Sequence, residues 1–514
     1  MLFNKTGLES VQRRNTNLKL DDQVISVESF TGITIIGLGP GNIDLLTKQT
    51  WELLNQLDVI YLRTAQHPAV GGFPKNLQII SFDEYYQKFD NFDEVYEKIV
   101  VTIIEKAKEG KSITYAVPGH PFVAETTSPR IYQQAKQLGI PVRVLEAVSF
   151  LEPTFTALEI DPFSSITLID AFDVGNANFP QFPPSRPVLI SQIYSRMIAS
   201  EVKQTLLEVY PDEHPVKLIH AAGTKQQKVE SIPLYEIDRS KQIGILTSLY
   251  VEPLESDTSF EEFQEIIAHL RAPDGCPWDR EQDHQTLRPH LLSETYELLS
   301  ALDEEDPEHL KEELGDLLLQ IVLHAQIAAE YGEFSMADVI KGISEKLIRR
   351  HPHVFSQVHV DGVEHVLTNW EKIKESERAE NGQKKENGLL SGVPNEYPAL
   401  AQSQEIQNRA ARVGFDWDKV EPVVEKIHEE INEIIHATDK ESQLKEIGDL
   451  LFAIVNLIRW YGGDAESILR ETNLKFRKRF NFIETQVKQM NKSMKDFSLA
   501  ELDAFWDLAK KSGL

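Results

Sequence analysis

The sequence predicts a multidomain chain, an α/β unit followed by all-α helical bundles, on three observations. Short β-branched runs alternate with helical stretches as far as Tyr250, almost every periodic segment from Phe260 onward has helical spacing, and the helical part carries one motif twice. A length of 514 residues corresponds to roughly three domains at about 150 residues each.

Residues 1–30 are polar, lack the continuous apolar run of a secretory signal, and read as a flexible N-terminal arm. Arg13 and Arg14 leave a transit peptide as the minor alternative. ITIIGLG (33–39), DVIYL (58–62), SITYAV (112–117), VRVLE (142–146), SSITLID (164–170) and PVLIS (187–191) are apolar, β-branched runs suited to strands. Between them lie helical stretches such as 93–110, which ends at Gly110, a residue suited to a left-handed C-cap. Strand, helix, strand order predicts a mostly parallel first sheet, and VKLIHAAG and VESIPLYEI predict a second, mixed one. The α/β unit is assigned to 31–250 and a linker to 251–259. Candidate helices at 260–272, 291–303, 310–332 and 336–350 form a first helical repeat (260–374). A polar stretch rich in Gly, Asn, Lys and Glu (375–399) reads as a second linker, followed by a second repeat (400–489) and a C-terminal helical segment (490–514).

The 81 acidic residues outnumber 53 Lys and Arg, for a net charge of −28. That excess repels nucleic-acid backbones and anionic membranes, so no nucleic-acid polymer and no membrane is expected as partner. With 41% hydrophobic and 26% charged residues the acidity does not imply disorder. Cys276 is the sole cysteine, which excludes an intrachain disulfide and a thiolate cage and fits a reducing, cytoplasmic setting.

The duplication is the most informative feature. ELGDLLLQIV (313–322) matches EIGDLLFAIV (446–455), and upstream Glu294 and Glu297 match Glu430 and Glu433. The spacing from Glu297 to Glu313 exceeds that from Glu433 to Glu446 by three residues, a difference expected to fall in the turn between the helices. Acids three apart share a helix face. A short connection makes the two helices antiparallel neighbours, so Glu294, Glu297, Glu313 and Asp316 in one copy, and Glu430, Glu433, Glu446 and Asp449 in the other, can converge. Such oxygen sets suit Mg²⁺ or Mn²⁺. The competing readings are chance pairs on a solvated face and salt bridges to Lys or Arg, but the second helix of each copy is apolar nearly all round, where unpaired carboxylates are costly.

Basic clusters stand out against this background: Lys346, Arg349 and Arg350, followed by His351 and His353, in copy one, and Lys475, Arg477, Lys478 and Arg479 in copy two. They are read as phosphate contacts, with a solvated basic face as the plain alternative and a zinc site at the two histidines as a weaker one. At the other end, the GLGPG turn (Gly37, Gly39, Pro40, Gly41) follows a strand and precedes a helix, a place where a ligand can approach backbone closely, although a bare turn needs the same glycines. It is neither a P-loop nor the dinucleotide fingerprint.

Carboxylates with divalent metal opposite Lys and Arg fit phosphoryl chemistry on a nucleotide. EEINE (429–433) followed by EIGD (446–449), with AARVGFDW (410–417) before and NLKFRKRF (473–480) after, resembles the MazG-type nucleoside triphosphate pyrophosphohydrolases. CPWDREQ (276–282), ELGD and RRHPHVF (349–355) are similar to the first repeat of the tandem form. The resemblance implies hydrolysis of an NTP to NMP and pyrophosphate. Glu430, Glu433, Glu446 and Asp449 would hold metal, Lys475, Arg477 and Arg479 would neutralise phosphate, Arg412 and Trp417 would line the nucleotide pocket, and Glu429 would orient or deprotonate water. Ser293 stands where the first repeat should carry that outer Glu, so the second repeat is expected to do most of the hydrolysis.

GLGPGNIDLLT, LDVIYL, YAVPGHPFVAE (115–125) and EAVSFLEPTFTAL (146–158) resemble the tetrapyrrole methylase family. This implies a two-lobed α/β domain with S-adenosylmethionine near Gly39, Pro40, Gly119, His120 and Pro121 and an unknown methyl acceptor. His120 departs from the Gly-Asp-Pro of many relatives, which leaves the methylation itself open. The whole arrangement resembles the YabN-type bifunctional family. The rival expectations are a methyltransferase with a regulatory helical half and a non-catalytic nucleotide sensor. Helical hairpins of this kind need partners for their apolar faces, so self-association through the repeats is expected.

Overall fold

A computed structural model of the chain describes residues 30–89, 91–356, 358–380 and 389–514. The predicted arm lies outside them except for Phe30, and so does part of the 375–399 linker. The chain divides into two compact units between His269 and Leu270.

The first unit begins with β1 (Ile33–Gly37), α1 (Lys48–Leu54), β2 (Val59–Leu62), β3 (Gln78–Ser81), α2 (Tyr85–Lys88), α3 (Phe92–Lys108), β4 (Ile113–Val117), α4 (Thr127–Gln137), β5 (Val142–Leu145) and α5 (Leu151–Leu158). Its five strands form a parallel sheet in the order β3-β2-β4-β1-β5. Alternation explains how the sheet is covered on both faces. Ile33, Ile35, Ile113 and Tyr115 pack under α3 and α4, while Ile36, Leu38 and Ala116 face Leu53 and Leu54 of α1. The second lobe contains β6 (Thr167–Asp170), α6 (Ala171–Gly175), β7 (Val188–Ser191), α7 (Arg196–Leu206), β8 (Pro215–His220), β9 (Lys228–Pro233) and β10 (Thr247–Val251). Their sheet, β6-β7-β10-β8-β9, is mixed, with only the β6–β7 pair parallel. The pattern missed β3, a four-residue edge strand with an exposed start, and β10, whose leading Thr and Ser dilute the apolar run.

From α8 (Phe260–Arg271) onward the described chain is helical: α9 (Pro277–Glu281), α10 (Arg288–Glu304), α11 (Pro307–Glu330), α12 (Met336–Arg350), α13 (Pro352–Phe355), α14 (Val363–Glu380), α15 (Ala399–Ala411), α16 (Val420–His436), α17 (Lys440–Trp460), α18 (Ala465–Gln489) and α19 (Leu499–Lys511). Asp306 and Asp439 cap the second helix of each acidic hairpin by accepting backbone N–H groups. The three-residue difference between the copies is not in the turn. It lengthens α10, which runs seven residues past Glu297 where α16 runs three past Glu433, and the connection of the first hairpin is the shorter of the two. Helix costs less than an unpaired loop here because the added turn satisfies its own backbone. Asp303 in that turn pairs with Arg470 of α18. Among the described residues no helix is long and apolar enough to cross a membrane.

Ile103 of α3 is fully buried against the first sheet. Ile103→Ala is expected to destabilise the first unit by about 2–5 kcal/mol, read as faster amide hydrogen exchange in β1 and β4; unchanged exchange there would contradict this packing.

Candidate functional sites

The ends of β1 and β4 are pinched together. Gly39 N–H donates to Gly119 O at 3.2 Å and Gly119 N–H to Gly39 O at 2.8 Å. Their φ values, +68° and +66°, lie in the left-handed region open to glycine. Gly37 is needed for room, since a Cβ there would stand 2.3 Å from Gly119 O and 2.5 Å from Ala147 Cβ. A Cβ at Gly119 would meet nothing within 4 Å, so a ligand can lie against that backbone. Pro40 packs on Gly223 and Gly41 on Thr224, where the two lobes of this unit meet. Pro121 borders Gly37, and His120 accepts from Phe122 N–H at Nδ1 (3.1 Å), so its Nε2 carries the proton donated to Glu146 at 2.8 Å. The structure thus gathers the predicted Gly37, Gly39, Pro40, Gly41, Gly119, His120 and Pro121. It adds His67, which no spacing rule flags: buried, it donates from Nε2 to Gly39 O at 3.0 Å, and its Nδ1 has no partner.

Each acidic hairpin brings three of its four acids together. Carboxylate oxygens of Glu294, Glu313 and Asp316 lie within 4.8 Å of one another in the first copy, as do those of Glu430, Glu433 and Glu446 in the second. Glu297 stands outside its group of three and accepts from Ser293 Oγ at 2.9 Å. Asp449 lines the same cleft as Glu430 and Glu433 without joining that group. Burial and then the neighbouring carboxylates raise the pKa of Glu294 and of Glu433. Glu313 and Glu430 are only 6% and 4% exposed, and each has one buried carboxylate oxygen without a partner. Hard oxygen donors converging with orphaned buried lone pairs fit a divalent cation.

Part of the charge is met by the chain itself. Lys426 reaches Glu429 at 2.9 Å and Glu430 at 2.8 Å, and these bonds, Glu430 first, raise its pKa. In the first copy His309 lies 3.1 Å from both Glu304 and Glu313 through its two ring nitrogens, and the bond to Glu304 leads in raising its pKa. Salt bridges thus take up part of each cluster's charge.

The basic clusters fare differently from expectation. Arg349 and Arg350 both clamp Glu377 of α14, at 2.7 and 2.6 Å, holding that carboxyl at about 2, with the Arg350 bond the largest cause. Lys346, Lys475 and Arg477 are exposed. Arg479 donates to Leu514 O and lies over the Trp506 ring. His351 meets His353 at a tilt and Trp370 edge-on, and neither histidine belongs to a group of three metal-capable side chains among the described residues.

A cleft of about 610 Å³ opens between α15, α16 and α17. Lys426, Glu430, Glu433 and Asp449 line one part and Phe415, Trp417 and Phe452 another. Arg459, which donates to Asp416 at 2.6 Å and to Asn456 at 2.9 Å, and Gln407 complete it. Trp417 lines this cleft, whereas exposed Arg412 and the α18 cations do not. Phe452, Ala453 and Asn456 follow Asp449 at helical spacing, so continuing the motif's face would have found them.

A model of the MazG nucleotide pyrophosphohydrolase domain matches residues 282–355, and one of the tetrapyrrole (corrin/porphyrin) methylases matches 32–238. The uncharacterized protein YabN of Bacillus subtilis is 42% identical over 489 residues, 93% of this chain and 98% of that one. The chain belongs to the YabN family. The helical half of this YabN-family protein is also 44% identical to the nucleoside triphosphate pyrophosphohydrolase/pyrophosphatase MazG of Thermotoga maritima, over 50% of this chain and 97% of that one. The nucleoside triphosphate pyrophosphohydrolase of Escherichia coli K12 is likewise 44% identical, over 48% and 95%. In the YabN-family chain the methylase match ends after β9, and the MazG match contains the whole first acidic hairpin.

Burial lowers the His67 pKa to about 4, whereas an unfolded histidine titrates near 6.5. The unfolded chain binds the extra proton first, so this stabilisation is full above about pH 6.5 and is lost as pH falls toward 4, by at most about 3 kcal/mol. His67→Gln keeps a donor but does not titrate. It is expected to flatten the dependence of the first unit's urea midpoint on pH across that window; an equally steep dependence would refute this assignment.

Proposed function

We propose that this YabN-family chain is a divalent-metal-dependent nucleoside triphosphate pyrophosphohydrolase, forming NMP and pyrophosphate, with its main site in the second repeat. The observation that carries the reading is that the Glu430 group, with a buried unpaired oxygen, borders the same cleft as the aromatic wall of Phe415 and Trp417. The related proteins named for this activity support it. Glu430, Glu433 and Glu446, with Asp449 beside them, would hold Mg²⁺ or Mn²⁺, which when bound supplies positive charge at the phosphates. Glu429 is exposed next to the group and is the proposed base. The water oxygen bonds to the α-phosphorus as its proton passes to Glu429, and the bond to the α,β-bridging oxygen breaks, leaving pyrophosphate. Lys426 is placed to exchange its carboxylate partners for phosphate oxygens. In the first repeat Glu294, Glu297, Glu313 and Asp316 would bind metal without an outer base, because Ser293 occupies that position.

A second activity is proposed for the first unit, S-adenosylmethionine binding at the open face of Gly119, with methyl transfer to an acceptor still to be identified. Labelled S-adenosylmethionine and a metabolite extract test it. Self-association is proposed through faces such as Ile340, Ile343 and Leu347 of α12, which share one side of the helix and are 43–47% exposed.

Glu430→Ala is expected to lower pyrophosphate release at least 100-fold across the common NTPs and dNTPs, while Glu294→Ala retains more than half; the opposite outcome would make the first repeat the main site. Tight metal-dependent NTP binding with no pyrophosphate formed would favour a sensor. Ile343→Glu with Leu347→Glu should shift sedimentation toward a smaller species, and a monomeric parent chain would exclude self-association.

A further inference from the structure

Gln407 of α15 is 7% exposed and lines the cleft of the second repeat. Its Nε2 donates to Phe452 O at 2.8 Å, which fixes the amide's orientation. Its Oε1 is therefore the free end, and it is buried without a partner. A buried acceptor left unmade is costly, and a ligand that brings a donor recovers that cost. One turn along α17, Asn456 accepts from Arg459 Nε at 2.9 Å and from its Nη2 at 2.8 Å, which leaves the Asn456 amide NH₂ as a donor. One cleft is thus lined by a residue with an unmet acceptor, a residue with a donor to spare, and the aromatic side chains of Phe415, Trp417 and Phe452, on which a base can stack.

From this geometry we infer that Gln407 reads the nucleobase and selects bases with an amine at purine C6 or pyrimidine C4, adenine and cytosine, over their carbonyl counterparts, hypoxanthine and uracil. The inference rests on the proposed nucleotide cleft and adds to it a substrate preference. Adenine and cytosine each present an amino donor next to a ring-nitrogen acceptor, the complement of Gln407 Oε1 and the Asn456 amide. Hypoxanthine and uracil place a carbonyl where the amine was, so two acceptors would face each other and Gln407 would stay unpaired. Sites built around a hydrogen bond discriminate in this way much more strongly than apolar pockets do.

An unmet amide acceptor also occurs in the first repeat, at a different position of the hairpin. Gln320 stands four residues after Asp316, as cleft-lining Ala453 stands four after Asp449. Its Oε1 is also buried without a partner, and the residue is 6% exposed. An unsatisfied amide carbonyl therefore recurs in both copies, supplied by α15 in one and by α11 in the other.

The test is kcat/KM for pyrophosphate release from ATP, ITP, CTP and UTP by the full chain and its Gln407→Met variant. The parent should favour ATP over ITP and CTP over UTP by about tenfold or more. Gln407→Met should bring both ratios to within about twofold, chiefly by losing the amino substrates. Parent ratios near one, or ratios that survive in Gln407→Met, overturn the inference; should Gln407→Met fail to fold, the parent ratios decide. Failure to hydrolyse any of the four would instead remove the pyrophosphohydrolase reading on which it rests.

Discussion

The helical half is organised around like charges held close together in partly dry surroundings. Three carboxylates within 4.8 Å in each copy repel one another, and burial weakens the water that would screen them. The hairpins hold because apolar sides of α11 and α17 are anchored elsewhere, by buried Val322 and Leu323 in one and Val455 in the other, and because Lys426 and His309 supply local positive charge. Neither cation satisfies the second oxygen of Glu430 or Glu313. The residual demand for positive charge is what makes these hairpins more than packing.

The first unit is governed by a steric requirement instead of an electrostatic one. The strand ends exchange hydrogen bonds at Gly39 and Gly119 in the left-handed backbone that glycine adopts freely, Gly37 leaves room for the Gly119 carbonyl, and the lobes meet at Pro40 and Gly41. His67 braces this arrangement from behind through the Gly39 carbonyl.

Much of the fold could be read from the chain because its elements have strong periodicity: β-branched runs marked most of the strands, and α12 falls on the predicted 336–350. Edge strand β3 was too short and too exposed to stand out. The acids of the site were legible as i, i+3 pairs on adjacent helices, whereas which three would meet depended on side-chain rotamers, which spacing does not encode. Arg349 and Arg350 looked free for phosphate because their partner, Glu377, lies in a polar stretch that reads as linker but is the end of a helix. Gln407 and Arg459 belong to the cleft through tertiary packing of α15 on α17, beyond the reach of local pattern.

The extra turn at the end of α10 has a consequence for how the two copies differ. It contains Asp303, the partner of Arg470, and Glu304, the partner of His309. The turn is thus a tether from the first copy to α18 of the second, and through Glu304 it holds His309 against Glu313, a buttress that α16, which stops three residues past Glu433, has no residues to supply.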